Sequence, residues 1–401
     1  MQRRQFLRNA GMTLAAASGA ALAGCVPAGT RRTAAIAGQQ GAAVRLRPDV
    51  LELAPVRAEV DRITGIYVCT RPFRAAGPRI ETERLGDKTL VHNYGHGGSG
   101  WSLSWGSSAL ALQMAQATGV RELGVIGCGA LGLTSALLAQ RAGLAVRIYA
   151  KQLPPDVLSM RATGLWTPDS RICDDAHAAA LGPRWETMAR TSFSMYQSLL
   201  GLPGRPIEWI DGYGLSDTPH GHDSSPGPSD EPIYGDLSDR ISDLGPDSVD
   251  LPAGSHPFPQ PYVRRWTTMM FNISTYARML MSDFLAAGGH IEVREFHAPG
   301  DLLRLPEATL INATGYGARA LFGDDSIVPV RGQTARLIPQ PEVTYGLGMH
   351  GLTMVPRSDG LLVQVIGDTG NFNNADTTPD RAASEAAVRR LAALMAQMRR
   401  G

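Results

Sequence analysis

The sequence predicts an α/β fold organised around a parallel sheet, and three stretches carry that prediction. "RELGVIGCGALGLTSALLAQRAGLAVRIYAK" reads as strand, glycine turn, helix and strand. "HIEVREF" and "ATLINATG" read as further apolar strands, the first preceded by a helix and a Gly-Gly stop. "VHNYGHGGSGWSLSWG", Val91 to Gly106, places five glycines and two tryptophans directly ahead of the helix-like run "SSALALQMAQA".

In the first unit an apolar strand, Leu123 to Ile126, meets a glycine turn. A helix follows from about Leu131 to Arg141, Gly143 stops it, and a second strand covers Ala145 to Tyr149. Gly127, Gly129 and Gly132 form GxGxxG, with Cys128, Ala130 and Leu131 between them. Between a strand and a helix this spacing is a Rossmann-like dinucleotide signature. The first glycine makes the turn, and the second lets a pyrophosphate reach the helix N-terminus, where free N–H groups and the helix dipole favour an anion. The second strand of such a unit ordinarily ends on an acid for the ribose hydroxyls. Here that place holds Lys151. A cation there suits a 2′-phosphate and NADP; a solvated lysine beside a ribose held by backbone groups is the other reading.

Farther along, a helix is expected over Ser274 to Ala287 and a strand over Ile291 to Phe296, as further parts of the same sheet. Residues 215–261 are rich in Ser, Pro, Gly and Asp, and a loop that long is functional or disordered. His220, His222 and Asp223 lie in it and read as a solvated cluster, so no metal site is expected. The chain closes on an amphipathic helix, "PDRAASEAAVRRLAALMAQMRR".

The 401 residues are 43% hydrophobic and 19% charged with a net charge of +1, ordinary for a soluble globular protein of one or two domains and with nothing to attract nucleic acid. There are only two lysines, Lys88 and Lys151, so most cations are arginine and one arginine alone says little. Residues 1–25 read as an export signal: Arg3 and Arg4, then Phe6 and Leu7, then a small apolar run too short for a stable membrane span. That is a twin-arginine pattern. It ends "LAGC", a lipoprotein-type box that makes Cys25 the lipid-bearing residue and residues 26–48 a tether. The expected location is periplasmic or otherwise extracytoplasmic, on the membrane. A plain signal peptide with a chance cysteine is the alternative. Cys69, Cys128 and Cys173 give no disulfide framework or zinc spacing and read as buried thiols.

Five pieces together resemble the family of FAD-dependent D-amino-acid oxidases: "TRPFRAAGPRIETER", "HNYGHGGSGWSLSWG", "VIGCGALGL", "ATGLWTP" and "NATGYGARAL…VPVRGQTARL". The resemblance implies an FAD-binding domain over residues 79–170 and 262–333. It implies a mixed α+β substrate domain over 49–78, 171–261 and 334–401. The order of the pieces is rotated. In the family the fingerprint opens the chain, and the arginine segment and glycine loop close it; here those two come first. That is the pattern of a circular permutation. Its physical basis is that the helix after the glycine loop points its N-terminus at the flavin, so its C-terminus reaches the sheet edge where the fingerprint strand begins.

The implied chemistry is hydride transfer from a substrate α-carbon to flavin, which leaves the protein to position and to stabilise charge. Arg71 matches the arginine that clamps the substrate carboxylate, a task suited to a planar fork. Gly98, Ser99, Gly100, Trp101 and Ser102 match the loop whose backbone N–H groups face the flavin, and a side chain at Gly98 would push the backbone away, most of all if φ there is positive. Ser159, Thr163, Gly164, Leu165 and Thr314 match cofactor contacts, while Trp166 suits core packing equally well. The family holds substrate with two tyrosines, and this chain has Met349 and Thr353 there, with Tyr345 and His350 nearby. The expected reaction converts a small amino acid, a D-amino acid or a related amine carrying a carboxylate, to an imine, then to a 2-oxo acid and ammonia. Oxygen or a membrane quinone takes the electrons. An NADP-dependent reductase and a flavin-binding lipoprotein without catalysis are the alternatives.

Overall fold

The computed structural model describes residues 51–220, 230–366 and 369–399. The signal, the tether, Cys25, His222 and Asp223 therefore lie outside the described residues. The chain opens with β1 (Ile63–Phe73), the hairpin β2 (Arg79–Leu85) and β3 (Lys88–Tyr94), and α1 (Gly100–Gln116). The fingerprint unit is β4 (Glu122–Ile126), α2 (Ala130–Arg141) and β5 (Ala145–Ala150). Next come α3 (Asp175–Gln197), β6 (Ile207–Ser216), β7 (Val249–Leu251), β8 (Tyr262–Phe271), α4 (Ile273–Ala286) and β9 (His290–Val293). The rest is α5 (Pro299–Leu302), β10 (Thr309–Asn312), α6 (Gly317–Phe322), β11 (Val328–Leu337), β12 (Tyr345–Met349), β13 (Leu352–Arg357), β14 (Gly360–Val365) and α7 (Arg381–Ala396).

Two sheets result. One has six strands in the order β2-β3-β10-β4-β5-β9, all parallel except the edge strand β2. Its central strands are covered on both faces, which is why they read as unbroken apolar runs. Val91, Val125, Ile148 and Ile311 pack with α1 to α4 on one side, and Leu90, Ile126, Tyr149 and Leu310 pack with Leu302 and Leu305 on the other. The second sheet has eight strands in the order β1-β11-β14-β13-β12-β6-β8-β7. Helix α7 lays Val388, Leu391 and Leu394 against it, and Asp380 caps α7 by accepting from the Ala383 N–H.

Helix α1 has an unusual sequence for its position. Trp101 through Ser108 are all buried, serines included. Small residues let α2 and α3 close in on it: a Cβ added at Gly106 would lie 2.1 Å from the Met188 carbonyl. The buried serines are satisfied by bonds such as Ser104 to Tyr196 (3.0 Å) and Ser108 to Thr134 (2.8 Å). At its far end Thr118 reaches Thr309 at the start of β10 (2.9 Å), and β4 begins at Glu122. So β3, α1 and β4 form one crossover, with β10 inserted between the two strands.

The two sheets divide the chain differently from the expected domain limits at β8 and at the start of β11, where residues 328–333 pair with β1 in the eight-stranded sheet. Residues 262–271, placed with the nucleotide domain on sequence, pair with β6 along their whole length in the eight-stranded sheet. The reason is that β8 is a connector: Met269 and Phe271 are buried in the core beside α1 to α4, Met270 packs with Ile210, Val355 and Leu362, and the strand leads straight into α4. The described parts of 215–261 are not structureless either. It carries the end of β6, a 3-10 turn at Ser238–Leu244 and the short strand β7.

Candidate active site

Strands β3, β4, β5 and β10 run parallel, so their carboxyl ends open onto one cleft, the usual place for a ligand in such sheets. The cleft has a volume of about 690 Å³. It is lined by Arg71, Gly98, Gly100, Trp101, Ser102, Gly127, Cys128, Gly129, Ala130, Leu131, Lys151, Ser159, Thr163, Gly164, Leu165 and Thr314. Two expected site residues, Ser99 and Gly132, are not in its lining.

At the fingerprint end, Gly127 takes φ +112 and a Cβ there would lie 2.5 Å from the Ala313 carbonyl. A Cβ on Gly132 would come within 2.0 Å of the Gly127 carbonyl. Gly132 thus lets α2 sit against its own turn and stays behind the lining. The Ala130 N–H donates to the Ser159 hydroxyl (3.3 Å), while the Leu131 and Gly132 N–H groups have no acceptor among the described residues. Burial pushes the Cys128 thiol up to about 12, so it stays protonated. Lys151 sits 3.5 Å from Glu295, and both line the cleft. Sequence reasoning missed Glu295. It lies just beyond β9, which pairs with β5, so only the sheet order brings an acid to the place where Lys151 stands.

The glycine loop is pinned on both sides. Gly97 donates to the Pro72 carbonyl and Gly98 to the Ser170 carbonyl (both 2.9 Å). Positive φ falls on Gly95 and Gly97, not on Gly98. The expected donor set is also narrower than the sequence suggested. The Gly98 and Ser99 amides are used inside the protein, by Ser170 and His96, and the Ser99 hydroxyl donates to the Ser170 carbonyl (3.0 Å). The Gly100, Trp101 and Ser102 amides keep no acceptor among the described residues, because Ser99 makes no side-chain cap on α1. The side chains of Trp101 and Ser102 tie in the neighbouring segment: the Trp101 indole donates to the Ser159 carbonyl (2.8 Å), and Ser102 accepts from the Thr167 N–H (2.9 Å). His96, fully buried beside the loop, is pushed down to about 3 by burial and is neutral. Trp166, partly buried, packs on Phe193 and Tyr196 against the core and is not in the cleft lining.

Arg71 enters from β1. Its guanidinium donates to the Arg331 carbonyl (3.0 Å) and lies over Gly332, where a Cβ would be 2.3 Å from it. The glycine of "RGQT" therefore makes room for Arg71. No carboxylate of the described residues pairs with Arg71, whereas Arg171 grips Glu231 through two bonds (2.7 and 2.9 Å). Burial works against the Glu231 charge, but the Arg171 bonds outweigh it and hold the carboxyl below its usual range, with Arg71 acting in the same direction. Of the residues at the expected pocket positions only Thr353 lines the cleft. Tyr345 turns into the core and donates to the Ala54 carbonyl (2.8 Å), Met349 packs against the core beneath α7, and exposed His350 meets Asp217 (3.2 Å).

Two long helices thus open first-turn amides onto one cleft, and glycines keep both turns bare. This donor set suits a ligand with a diphosphate at one end and carbonyl groups at the other, as FAD has. The family model for FAD dependent oxidoreductase matches residues 122–400. A D-amino-acid oxidase of Streptomyces coelicolor is 30% identical over 284 residues, 68% of this chain and 77% of that protein. One from Rubrobacter xylanophilus is 28% identical over 286 residues, 69% of this chain and 77% of that protein. Among solved structures, glycine oxidase from Geobacillus kaustophilus aligns with a TM-score of 0.46 at 14% identity, covering 70% of this chain and 80% of that one. The chain belongs to the FAD-dependent oxidoreductase family.

Proposed function

We propose that the protein oxidises a small amino acid at its α-carbon, giving an imine that hydrolyses to a 2-oxo acid and ammonia. The observation that carries this is Arg71, a partly buried guanidinium with no carboxylate in ion-pair contact among the described residues, in the same cleft as the open N-terminus of α1. FAD, when bound, supplies the two-electron acceptor for the substrate C–H bond. The chain's own residues do the rest. Arg71 holds the substrate carboxylate in its fork and so fixes where the α-carbon lies. The Gly100 to Ser102 amides and the α1 dipole favour negative charge on the cofactor side of the cleft. Glu295 offsets Lys151, which fits FAD at that end better than a 2′-phosphate would. Oxygen or a quinone receives the electrons. Anaerobic mixing with a panel of D- and L-amino acids, glycine and sarcosine should bleach the flavin absorbance with at least one of them. A yellow protein that none of them bleaches would leave only the flavin-binding alternative.

The chain order is proposed to be a circular permutation of the family order. In support, the family match begins at Glu122, the first residue of β4, while β1 to α1 hold the arginine segment and the glycine loop. The α1–β4 connection is short and closes on the start of β10 through Thr118. A rearranged chain running from Arg121 to the C-terminus, then through a flexible link to 49–119, should fold and bind FAD. Insoluble or colourless product would count against the permutation. We further propose twin-arginine export and lipid attachment at Cys25, on the sequence pattern of residues 1–25. Changing Cys25 to serine should release the protein from the membrane fraction; retention there would sink the lipid assignment.

A further inference from the structure

We infer that the substrate's side chain is polar and uncharged, a hydroxyl or a carboxamide, and that Thr334, Gln364 and Thr353 select it. This rests on the amino-acid reading above. Arg71 on β1 and Thr353 on β13 bound the substrate end of the cleft, and the strands between them are β11 and β14. Register puts Thr334 opposite Tyr67, Gln364 opposite Thr334 and Thr353 opposite Gln364. Directly opposed residues share a sheet face, and so do positions four apart on one strand, so Arg71 stands on the same face as Tyr67 and this row. Thr334, Gln364 and Thr353 all line the cleft. Thr334 is 3% exposed and Gln364 4%.

These polar groups are not spent on the protein. The Gln364 amide takes one bond, from the Thr163 hydroxyl (2.7 Å), and its other end has no partner among the described residues. The Thr334 and Thr353 hydroxyls have none either among the described residues. Thr334 and Gln364 are buried residues and Thr353 is half-buried, all three on the cleft wall, and a ligand that pairs the groups left open there must offer donors and acceptors together. A hydroxyl or a carboxamide does so. A branched apolar side chain would leave the row unpaired, and sites built to hydrogen-bond a substrate reject the isostere that lacks the group. A side-chain charge would find no counter-charge in the row itself, since it holds an amide and two hydroxyls.

The test uses near-isosteric pairs on the full-length holoprotein, followed by anaerobic flavin reduction: asparagine against leucine, threonine against valine, and asparagine against aspartate, each in both enantiomers. The polar neutral member should reduce the flavin more efficiently by on the order of tenfold or more in each pair. Gln364→Met and Thr353→Val should each shrink that ratio toward one. Leucine or valine outrunning its partner, or aspartate outrunning asparagine, would overturn the inference while leaving an amino-acid oxidoreductase in place. Ratios unchanged in flavin-loaded variants would overturn it too. Failure of every amino acid would overturn both this inference and the reading it rests on. The wild-type comparison needs no variant, so a misfolded substitution cannot shield the idea.

Discussion

Arg71→Ala should keep its flavin absorbance and lose reduction of the flavin by substrate. Removing one partner of a desolvated charge pair costs about 3–5 kcal/mol, roughly 10²–10⁴-fold in an equilibrium or rate constant. The loss should appear in substrate binding and reduction together, because the guanidinium both attracts the carboxylate and orients the α-carbon. Arg71→Lys should recover only part, since a point charge does not reproduce the fork. Arg74 is the control. It bonds Ser326 (2.8 Å) and the Gly77 carbonyl (2.9 Å) and lies 3.6 Å from Asp324, outside the cleft lining. Its loss should lower stability and leave the reduction rate near the parent's. Rapid-mixing reduction kinetics on the variants decide the matter, and an Arg71→Ala protein reduced at the parent rate would remove the amino-acid reading.

Gly97→Ala should abolish tight FAD binding and lower thermal stability. The backbone there is left-handed, φ +53, and the new Cβ would sit 1.8 Å from the Arg171 carbonyl. Left-handed geometry costs a residue with a Cβ about 1–3 kcal/mol, and relieving the collision means moving either the loop or residues 170–171. Both hold the base of α1, since Gly98 donates to Ser170 as well. The cleft-facing amides would move with them. Gly98→Ala is the milder comparison: φ is not left-handed, and its Cβ meets the Ser170 hydroxyl (2.5 Å), which can rotate, and the Ser170 carbonyl only at 2.9 Å, against 1.8 Å from the Arg171 carbonyl for Gly97. Titration of apoprotein with FAD, beside a melting curve, tests this. Parent-like affinity and melting in Gly97→Ala would show that the loop does not build the site.

Helix α2 and its two strands were legible within a residue or two, because GxGxxG, the apolar runs and Gly143 act over short distances along the chain. The glycine loop, Arg71 and the Thr163–Leu165 segment were picked out by family resemblance, and the structure places them along one cleft. Which loop amides remain free was not readable. Gly98 and Ser99 look like their neighbours in sequence, but they bond Ser170 and His96, the former brought in from elsewhere in the chain. Nor did spacing hint that β8 belongs to the eight-stranded sheet, since its membership depends on its partner β6 and not on its own residues.

What the sequence determined by itself is therefore the cofactor end of the cleft, where one contiguous strand–turn–helix unit supplies turn, donors and dipole together. Which side chains meet at the other end was decided by the tertiary structure. Thr334, Gln364 and Thr353 come from three strands, Glu295 meets Lys151 across β9 and β5, and Gly332 clears the space that Arg71 fills from β1. Cross-strand register sets those meetings, and register is a property of two chain segments at once.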